Sequence, residues 1–543
     1  MIVGVILGGA RCAGVCLDTG GLQASAVLAG SQDTETSLTE LLRTLLQRAG
    51  ERPVERVVLS TAAPAVAATE GSLPSCSNVI APGHGFDGHE VEFGDETIRA
   101  AGTVDARGRV TEDPALDTEP TGDVVAVTGK FAPRNPEVER RLAAMLDYPA
   151  DRVALSQETD WRLGFTKRIA TTVGNARVRP LLTNTVEAAR SALEAVGVDA
   201  PLFLLKGNGT VGDAASVLET PAHVLGCVDA AGALGLLALS GTAGLDDRSG
   251  GSSGGADTAS QARVALFLGR DRTVVTPLRD GFIGTTVGYA DHLPIRYRGV
   301  DSNVLPFGAH SILSTSGAVT DATATPGALG GQAATVADAV TVGAQSSRQP
   351  HRSESTAGDT AASRRVLTDL GDPTTAANAV LDEITTRVLR LSEQVGTGDI
   401  VVGGEFARDF GTALRARSDR PIQVPPHAPL ADAIGCALAT VSIQVSVHID
   451  TDQGRLCLNS EGVDEIEVVD IERGLSERNL RQFATEKTRQ IASRVGAFDE
   501  PPVEITHNRR VAIIRDSQDV GQLVDIQAHV PPRVDTSLLD NLR

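Results

Sequence analysis

The chain opens on short apolar runs separated by glycine pairs. Ile2–Leu7 is continuously apolar, Gly8-Gly9 punctuates it, Cys12–Leu17 is a second run, Gly20-Gly21 turns again, and Leu22–Leu28 is a third. Such runs predict an antiparallel meander. Leucines at 38, 41, 42, 45 and 46 then fall on one helical face, predicting a helix over Leu38–Ala49. Val54–Ser60 follows as a strand, predicted parallel because a helix precedes it. The pattern returns late in the chain: Val264–Leu268, Thr273–Leu278 and Phe282–Tyr289 form a second meander with turns at Gly269–Asp271 and Asp280-Gly281. Two meanders opening two α/β halves suggest an internal duplication. Ile400–Val402 runs into Gly403-Gly404 and then a helix, a backbone arrangement that admits a nucleotide closely.

Two segments lack apolar periodicity, Gly241–Ser260 and Gln345–Ser363, and read as loop insertions. From Ser442 the pattern changes. Strands at Ser442–Ile449, Arg455–Leu458 and Ile466–Ile471 precede a helix at Glu477–Val495, and Val503–His507, Arg510–Arg515 and Leu523–His529 follow. This predicts a separate small α+β domain over residues 442–543.

Composition narrows the function classes. The 543 residues carry a formal net charge of −20, which excludes the basic footprint of a nucleic-acid binder. Hydrophobic residues at 41% fit a globular chain. The longest apolar stretch, Ala230–Leu239, is too short to span a bilayer, and MIVGVILGG lacks the basic region of a signal peptide. Six scattered cysteines without a CxxC fit reduced thiols, so the expected location is cytoplasmic, with neither a membrane nor a nucleic-acid partner. Lysine occurs only at 130, 167, 206 and 487, and this acidic, Arg-biased balance suits a high-salt (halophilic) cytoplasm or a GC-rich genome.

Six collinear segments resemble the hydantoinase A/oxoprolinase family. NPEVERRL (Asn135–Leu142) is similar to its NPxHExR segment, and Leu155–Leu182 to its "LSHEV…TSTTVVNAYLRP" stretch. Leu202–Gly235 resembles its glycine-bearing "DGG…SGPAGGVxG" region, Val304–Leu313 its "GAGGGS" loop, Thr325–Ala344 its "PGPACYG…PTVTDA" stretch, and Val424–Ala439 its closing helix entry. The resemblance implies an α/β, actin-like (ASKHA, ribonuclease H-like) two-domain fold, divided as residues 1–175 and 176–441. The implied activity is ATP-dependent hydrolysis of cyclic amides of the hydantoin or 5-oxoproline type. ATP and Mg²⁺ are the implied cofactors. Phosphorylating the amide oxygen turns a poor electrophile into one that water can attack.

The resemblance breaks at the phosphate loops. Where the family opens with "DxGGT", this chain has Ile6, Gly8, Gly9 and Ala10; where the second loop reads "DMGGT", it has Phe267, Gly269, Arg270 and Asp271. Ser60–Gly71 keeps one of the two threonines of "GTT", and Gly308-Ala309-His310-Ser311 replaces the glycine-rich loop. The cofactor-binding candidates are therefore Gly8, Gly9, Gly269, Gly308, Ser311, Gly403 and Gly404. Arg11, Arg270 and Arg272 are expected to place positive charge beside the loops and to clamp phosphate without a metal. Asp18 and Asp271 are possible replacements for the lost aspartates. Asp271 and His310 are the catalytic candidates, with a turn residue as the alternative for Asp271. His84 and His89 with Asp87 read as a solvated loop rather than a metal site, so no metal ligands are assigned. Gly207 and Gly209 read as turn glycines, Lys206 as an anion contact or a surface lysine, and Cys12 and Cys16 as buried packing.

Three functions follow from these residues: an active ring-opening amidohydrolase, a non-catalytic homologue acting as scaffold or regulatory subunit, or an ATPase that reactivates another enzyme. A small-molecule ligand, and either a homo-oligomer or a second hydantoinase-family subunit, are the expected partners.

Overall fold

A computed structural model describes residues 1–8, 11–30, 33–84, 93–159, 164–241, 263–279, 282–289, 296–346, 358–460, 463–468, 477–495, 497, 501–530, 534–538 and 541–542. The first sheet contains β1 (Ile2–Leu7), β2 (Arg11–Asp18), β3 (Gly21–Ala29), β4 (Arg56–Thr61), β11 (Leu202–Leu205) and β12 (Val211–Asp213), in the order β12-β11-β4-β1-β2-β3. The opening meander is antiparallel, and β4 lies parallel to both β1 and β11. β1 is buried along its whole length, which is why its run does not alternate. The helix Thr34–Ala49 packs on β2 and β3, capped by Asp33, whose carboxylate accepts from Glu35 N, and it buries Leu38, Leu41, Leu42 and Leu45.

The second half repeats the plan. Its sheet holds β13 (Arg263–Leu268), β14 (Thr273–Arg279), β15 (Phe282–Ile283), β18 (Asn303–Leu305), β21 (Ile400–Gly403) and β22 (Ile422–Gln423), with β21 parallel to β13 and β13 antiparallel to β14. The expected third strand, Phe282–Tyr289, is divided: β15 pairs with β14, while β16 (Thr285–Tyr289) pairs instead with β17 (Arg296–Val300). Gly284 separates the two pieces.

Smaller sheets and ladders lie elsewhere among the described residues. A four-stranded parallel sheet contains β5 (Cys76–Ala81), β6 (Glu96–Arg99), β9 (Val124–Gly129) and β10 (Val153–Leu155), in the order β10-β9-β5-β6. Two ladders, β7 (Ala101–Val104) with β8 (Val110–Ala115) and β19 (Ser311–Leu313) with β20 (Val319–Thr323), stand apart. The tail forms an antiparallel sheet from β23 (Gln444–Asp450), β24 (Arg455–Ser460), β25 (Val463–Val468), β26 (Glu504–Arg515) and β27 (Gln518–His529), with the helix Glu477–Arg494. Val503–His507 and Arg510–Arg515, expected as separate strands, belong to the single bulged strand β26. This sheet docks on the β7–β8 ladder: Arg107 reaches Asp450 at 3.0 Å and Asp452 at 2.6 Å, and Arg455 donates to Gly108 O at 2.6 Å.

The boundary expected at 175 falls inside one continuous helix, Phe165–Ala195, and strands β11 and β12 beyond it return to the first sheet. The insertion expected at 345–363 is narrower, because one helix runs to Ser346 and the next begins at Thr360. Residues 242–262 and 347–357 lie outside the described residues.

Two buried helices, Cys227–Leu239 and Ala431–Leu438, join the halves at a glycine crossing. A Cβ on Gly235 would lie 1.7 Å from Ala431 O, and one on Gly435 would lie 2.0 Å from Ala231 O. Both sheets rest on this pair. A Cβ on Gly4 of β1 would meet Ala433 O at 2.4 Å, and one on Gly403 of β21 would meet the Leu236 side chain at 2.7 Å. Gly235→Val is therefore expected to destabilise the protein by about 3 kcal/mol or more, since the backbone it would strike cannot rotate aside; chemical denaturation of the purified variant measures this.

Candidate functional site

The turn between β1 and β2 and the turn between β13 and β14 face each other across the cleft between the halves. Gly8 and Gly269 both line a cavity of about 410 Å³ there, together with Thr61, the start of the helix Cys227–Leu239, and Asp321 and Thr323 of β20. The helix Ala63–Glu70 forms a further wall, and Thr61 Oγ1 accepts from Ala63 N at 3.3 Å at its start. Ser60 Oγ lies 3.1 Å from Cys227 Sγ, a thiol that burial pushes up to about 11.

Ile6 and Phe267, where the resemblance places aspartates, are core residues. Ile6 is 4% exposed between Ala13 and Ser60. Phe267 is also 4% exposed, and its ring presses on Gly232, where an added Cβ would meet it at 2.6 Å. Phe267 also lines the cavity, so an apolar face stands where the family resemblance places a carboxylate.

The arginines are engaged within the protein, which corrects the expectation of a free phosphate clamp. Arg270 of the second half donates from Nη1 to Gly8 O of the first at 2.9 Å. Arg11 of the first half donates to Pro429 O at 3.2 Å and stands 3.8 Å from Glu405 and 4.0 Å from Asp432. Arg272 pairs with Asp229 at 3.5 Å and Asp271 at 3.6 Å. Each turn thus sends a cation across the cleft. Glu70, Asp229, Asp271 and Asp321 outnumber Arg270 and Arg272 on the cavity wall.

His310 is 4% exposed, its Nε2 lies 3.7 Å from Glu405, and its Nδ1 is buried without a hydrogen-bond partner. Burial pushes the Glu405 carboxyl up, but His310 and Arg11 outweigh it and hold the group below its usual range. Asp432 moves the other way: its burial prevails over Arg11 and raises it.

The remaining candidates are distributed as follows. Gly308 lies beneath the second turn, with Ala309 N donating to Gly269 O and His310 N to Arg270 O, both at 2.8 Å. Ser311 Oγ accepts from Gly308 N at 3.0 Å and so braces the loop internally. Gly404 has φ 107°, and a Cβ on it would lie 2.2 Å from Leu268 O, so Gly403 and Gly404 both meet protein rather than the cavity. Asp271 is half exposed in its turn. Asp18 lies at the far end of β2, roughly 23 Å along the strand from the cleft turn, where it binds Arg52 and Gln23, so it does not replace the lost aspartate. Lys206 is fully buried and donates to Ser442 O at 3.1 Å, so it is not a surface lysine. Gly209 has φ 81°, the turn role expected of it. His84 O accepts from Lys130 Nζ at 2.9 Å. Gly9, Ala10, Asp87 and His89 lie outside the described residues. Among the described residues, no group of three His, Cys, Asp or Glu side chains is placed to hold a metal ion.

The carriers of the cross-cleft contacts other than the arginines, Asp229, Glu405 and Asp432, were not singled out from the sequence. They sit at helix starts and strand ends, where an acidic residue reads as a cap. A second cluster was also missed. Glu139 of NPEVERRL is fully buried at the carboxyl ends of β9 and β10, accepting from Gly129 N at 2.5 Å, Gln157 N at 3.1 Å and Ser156 Oγ. Arg168, also fully buried, donates to Gly129 O and to Lys130 O at 2.9 Å.

No protein-family model matches the chain, and no curated protein matches it. Among solved structures it is similar to acetone carboxylase in its nucleotide-free form, at a TM-score of 0.66 and 13% identity, over 99% of this chain and 88% of that one. It is also similar to the ATP-dependent caprolactamase of Pseudomonas jessenii, at a TM-score of 0.59 and 14% identity, over 98% of this chain and 88% of that one. At these identities the likeness establishes the fold: a mixed α/β, actin-like architecture of two domains.

Burial pushes Glu139 up to about 7 from an ordinary 4.5, against the pull of its donors and Arg168. The folded state then holds a proton that unfolding releases, so stability falls as pH rises from 4.5 to about 7 and levels off above. Each unit of that window is worth about 1.4 kcal/mol. Glu139→Gln is expected to flatten the slope, read as Tm against pH.

Proposed function

We propose that the protein is a divergent hydantoinase A/oxoprolinase-type protein of the cytoplasm that takes an adenine nucleotide in the cleft and uses it to open a cyclic amide. The observation that supports this reading most is the cavity itself, of about 410 Å³, bounded by Gly8 and Gly269, the two turns where an actin-like fold receives phosphate. The volume lies within the usual range of small-molecule sites. The two structural relatives are an ATP-dependent caprolactamase and an enzyme of ATP-dependent acetone carboxylation, which supports nucleotide use and carbonyl or amide chemistry here. Mg²⁺ fits less well. No metal-holding group of three occurs among the described residues, and Asp229 is occupied by Arg272. An entering phosphate would meet Arg270 and displace Gly8 O as its partner.

A second reading, a non-catalytic homologue serving an active partner subunit, has its own observation. Ile6 and Phe267 are core residues, and the cleft is bridged from both sides. Calorimetric titration with ATP and ADP, with and without Mg²⁺, followed by assay of hydantoins and 5-oxoproline, separates the two. The first reading expects saturable nucleotide binding and ring opening coupled one-to-one to phosphate release. Binding without turnover supports the second reading, and absence of binding removes the first for the isolated chain.

A further inference from the structure

A second cavity, of about 290 Å³, adjoins the one between the two turns. The two share Thr61, Ala62, Val66, Glu70 and Arg270 as lining, so the helix Ala63–Glu70 and one guanidinium form their common wall. Apart from Arg270, the second cavity is lined by the first half alone, and neither Gly8 nor Gly269 borders it. Its charge differs from that of its neighbour. Arg270 and Glu70 are the only charged residues on its wall, so they cancel, whereas acids outnumber cations in the first. The two helix starts beside it are already capped. Asp33 accepts from Glu35 N at 3.2 Å and Thr61 Oγ1 from Ala63 N at 3.3 Å, and Pro64 has no N–H to offer an anion. The hydroxyls have a fixed polarity. Ser37 Oγ donates to Asp33 O at 3.0 Å and Thr185 Oγ1 to Leu181 O at 2.9 Å. With those protons committed to backbone carbonyls, both hydroxyls meet a ligand as acceptors. Arg270 is the donor on the wall: Nη1 holds Gly8 O, and Nε has no hydrogen-bond partner among the described residues. Leu7, Cys12 and Ala67 supply apolar surface between these groups.

We propose that this second cavity holds the acceptor, and that it selects a small uncharged ring bearing a secondary amide over the same ring bearing a carboxylate. The assignment rests on the reading of the neighbouring cavity as a nucleotide site. A secondary amide matches the wall because it accepts at its oxygen and donates at its nitrogen. The carbonyl oxygen takes Arg270, and the N–H takes the hydroxyl acceptors Thr185 and Ser37. A carboxylate on the ring would find Glu70 and a single cation already engaged by the carbonyl. A charge without its counter-charge is costly to take out of water. The volume lies at the small end of the range for ligand sites, which suits a single ring. Arg270 then stands between acceptor and nucleotide, touching the walls of both cavities.

Saturation-transfer NMR titration of the full chain with 2-pyrrolidinone and with 5-oxoproline, which differ only by the carboxylate, tests the proposal. The neutral lactam is expected to bind saturably and about tenfold or more tighter than 5-oxoproline, with hydantoin competing for the same site. Thr185→Val removes one acceptor at nearly constant volume and is expected to weaken lactam binding about fivefold. Ser72→Phe, at an exposed position on the wall, is expected to fill the cavity and abolish binding. A wild-type Tm in each variant shows that it folds. Equal or tighter binding of 5-oxoproline overturns the proposal, as does a lactam that does not bind or one whose binding neither variant reduces. Calorimetry of the same samples with ATP reads the neighbouring cavity separately. Lactam binding without nucleotide binding removes the proposed function and leaves the ring site standing, whereas nucleotide binding without lactam binding overturns the ring site alone.

Discussion

The crossing of the helices Cys227–Leu239 and Ala431–Leu438 is the constraint on which the rest of the structure depends. Glycines at 235 and 435 let the backbones touch, and glycines at 4, 232 and 403 let elements of both sheets settle against the same pair. Close approach of this kind tolerates no side chain, so absence of bulk fixes the crossing at which the two halves meet.

This packing accounts for apolar residues at 6 and 267, where the resemblance places carboxylates. Phe267 fills the space over Gly232 and joins the apolar core beneath the cavity; an aspartate there would face both the cavity and a hydrophobic wall. Arg270 and Arg11 of the two turns reach across to Gly8 O, to Pro429 O and toward Glu405. Charge still lies in the cleft, but much of it is paired within the protein, and that pairing rather than an open phosphate cradle defines the site. Nucleotide entry competes with contacts already made.

Much of this architecture was legible in the sequence because it rests on local pattern. Gly-bounded apolar runs gave both meanders, and the leucine spacing gave the helix that packs on the first. The collinear segments implied the actin-like plan before any contact was known. Long-range events were not legible. The return of β11 to the first sheet and the division of Phe282–Tyr289 depend on pairings far apart in the chain. The same limit hid the burial of Lys206 under Ser442, and the meeting of Arg11 with Glu405 and Asp432. A glycine pair such as Gly403-Gly404 reads alike from sequence whether it admits a ligand or a neighbouring helix, and here both residues meet protein.

Arginine bridges join the walls of the cleft above the glycine crossing, and the distance between the two halves tests their role most directly. Spin labels at Gln47→Cys on the helix Thr34–Ala49 and Thr386→Cys on the helix Pro373–Val395 would report that distance by pulsed electron resonance. The bridged protein is expected to give one narrow distribution, and the Arg11→Ala, Arg270→Ala double variant a broader or longer one. An unchanged distribution in the double variant would contradict the bridges' role and leave the glycine crossing alone to set the cleft.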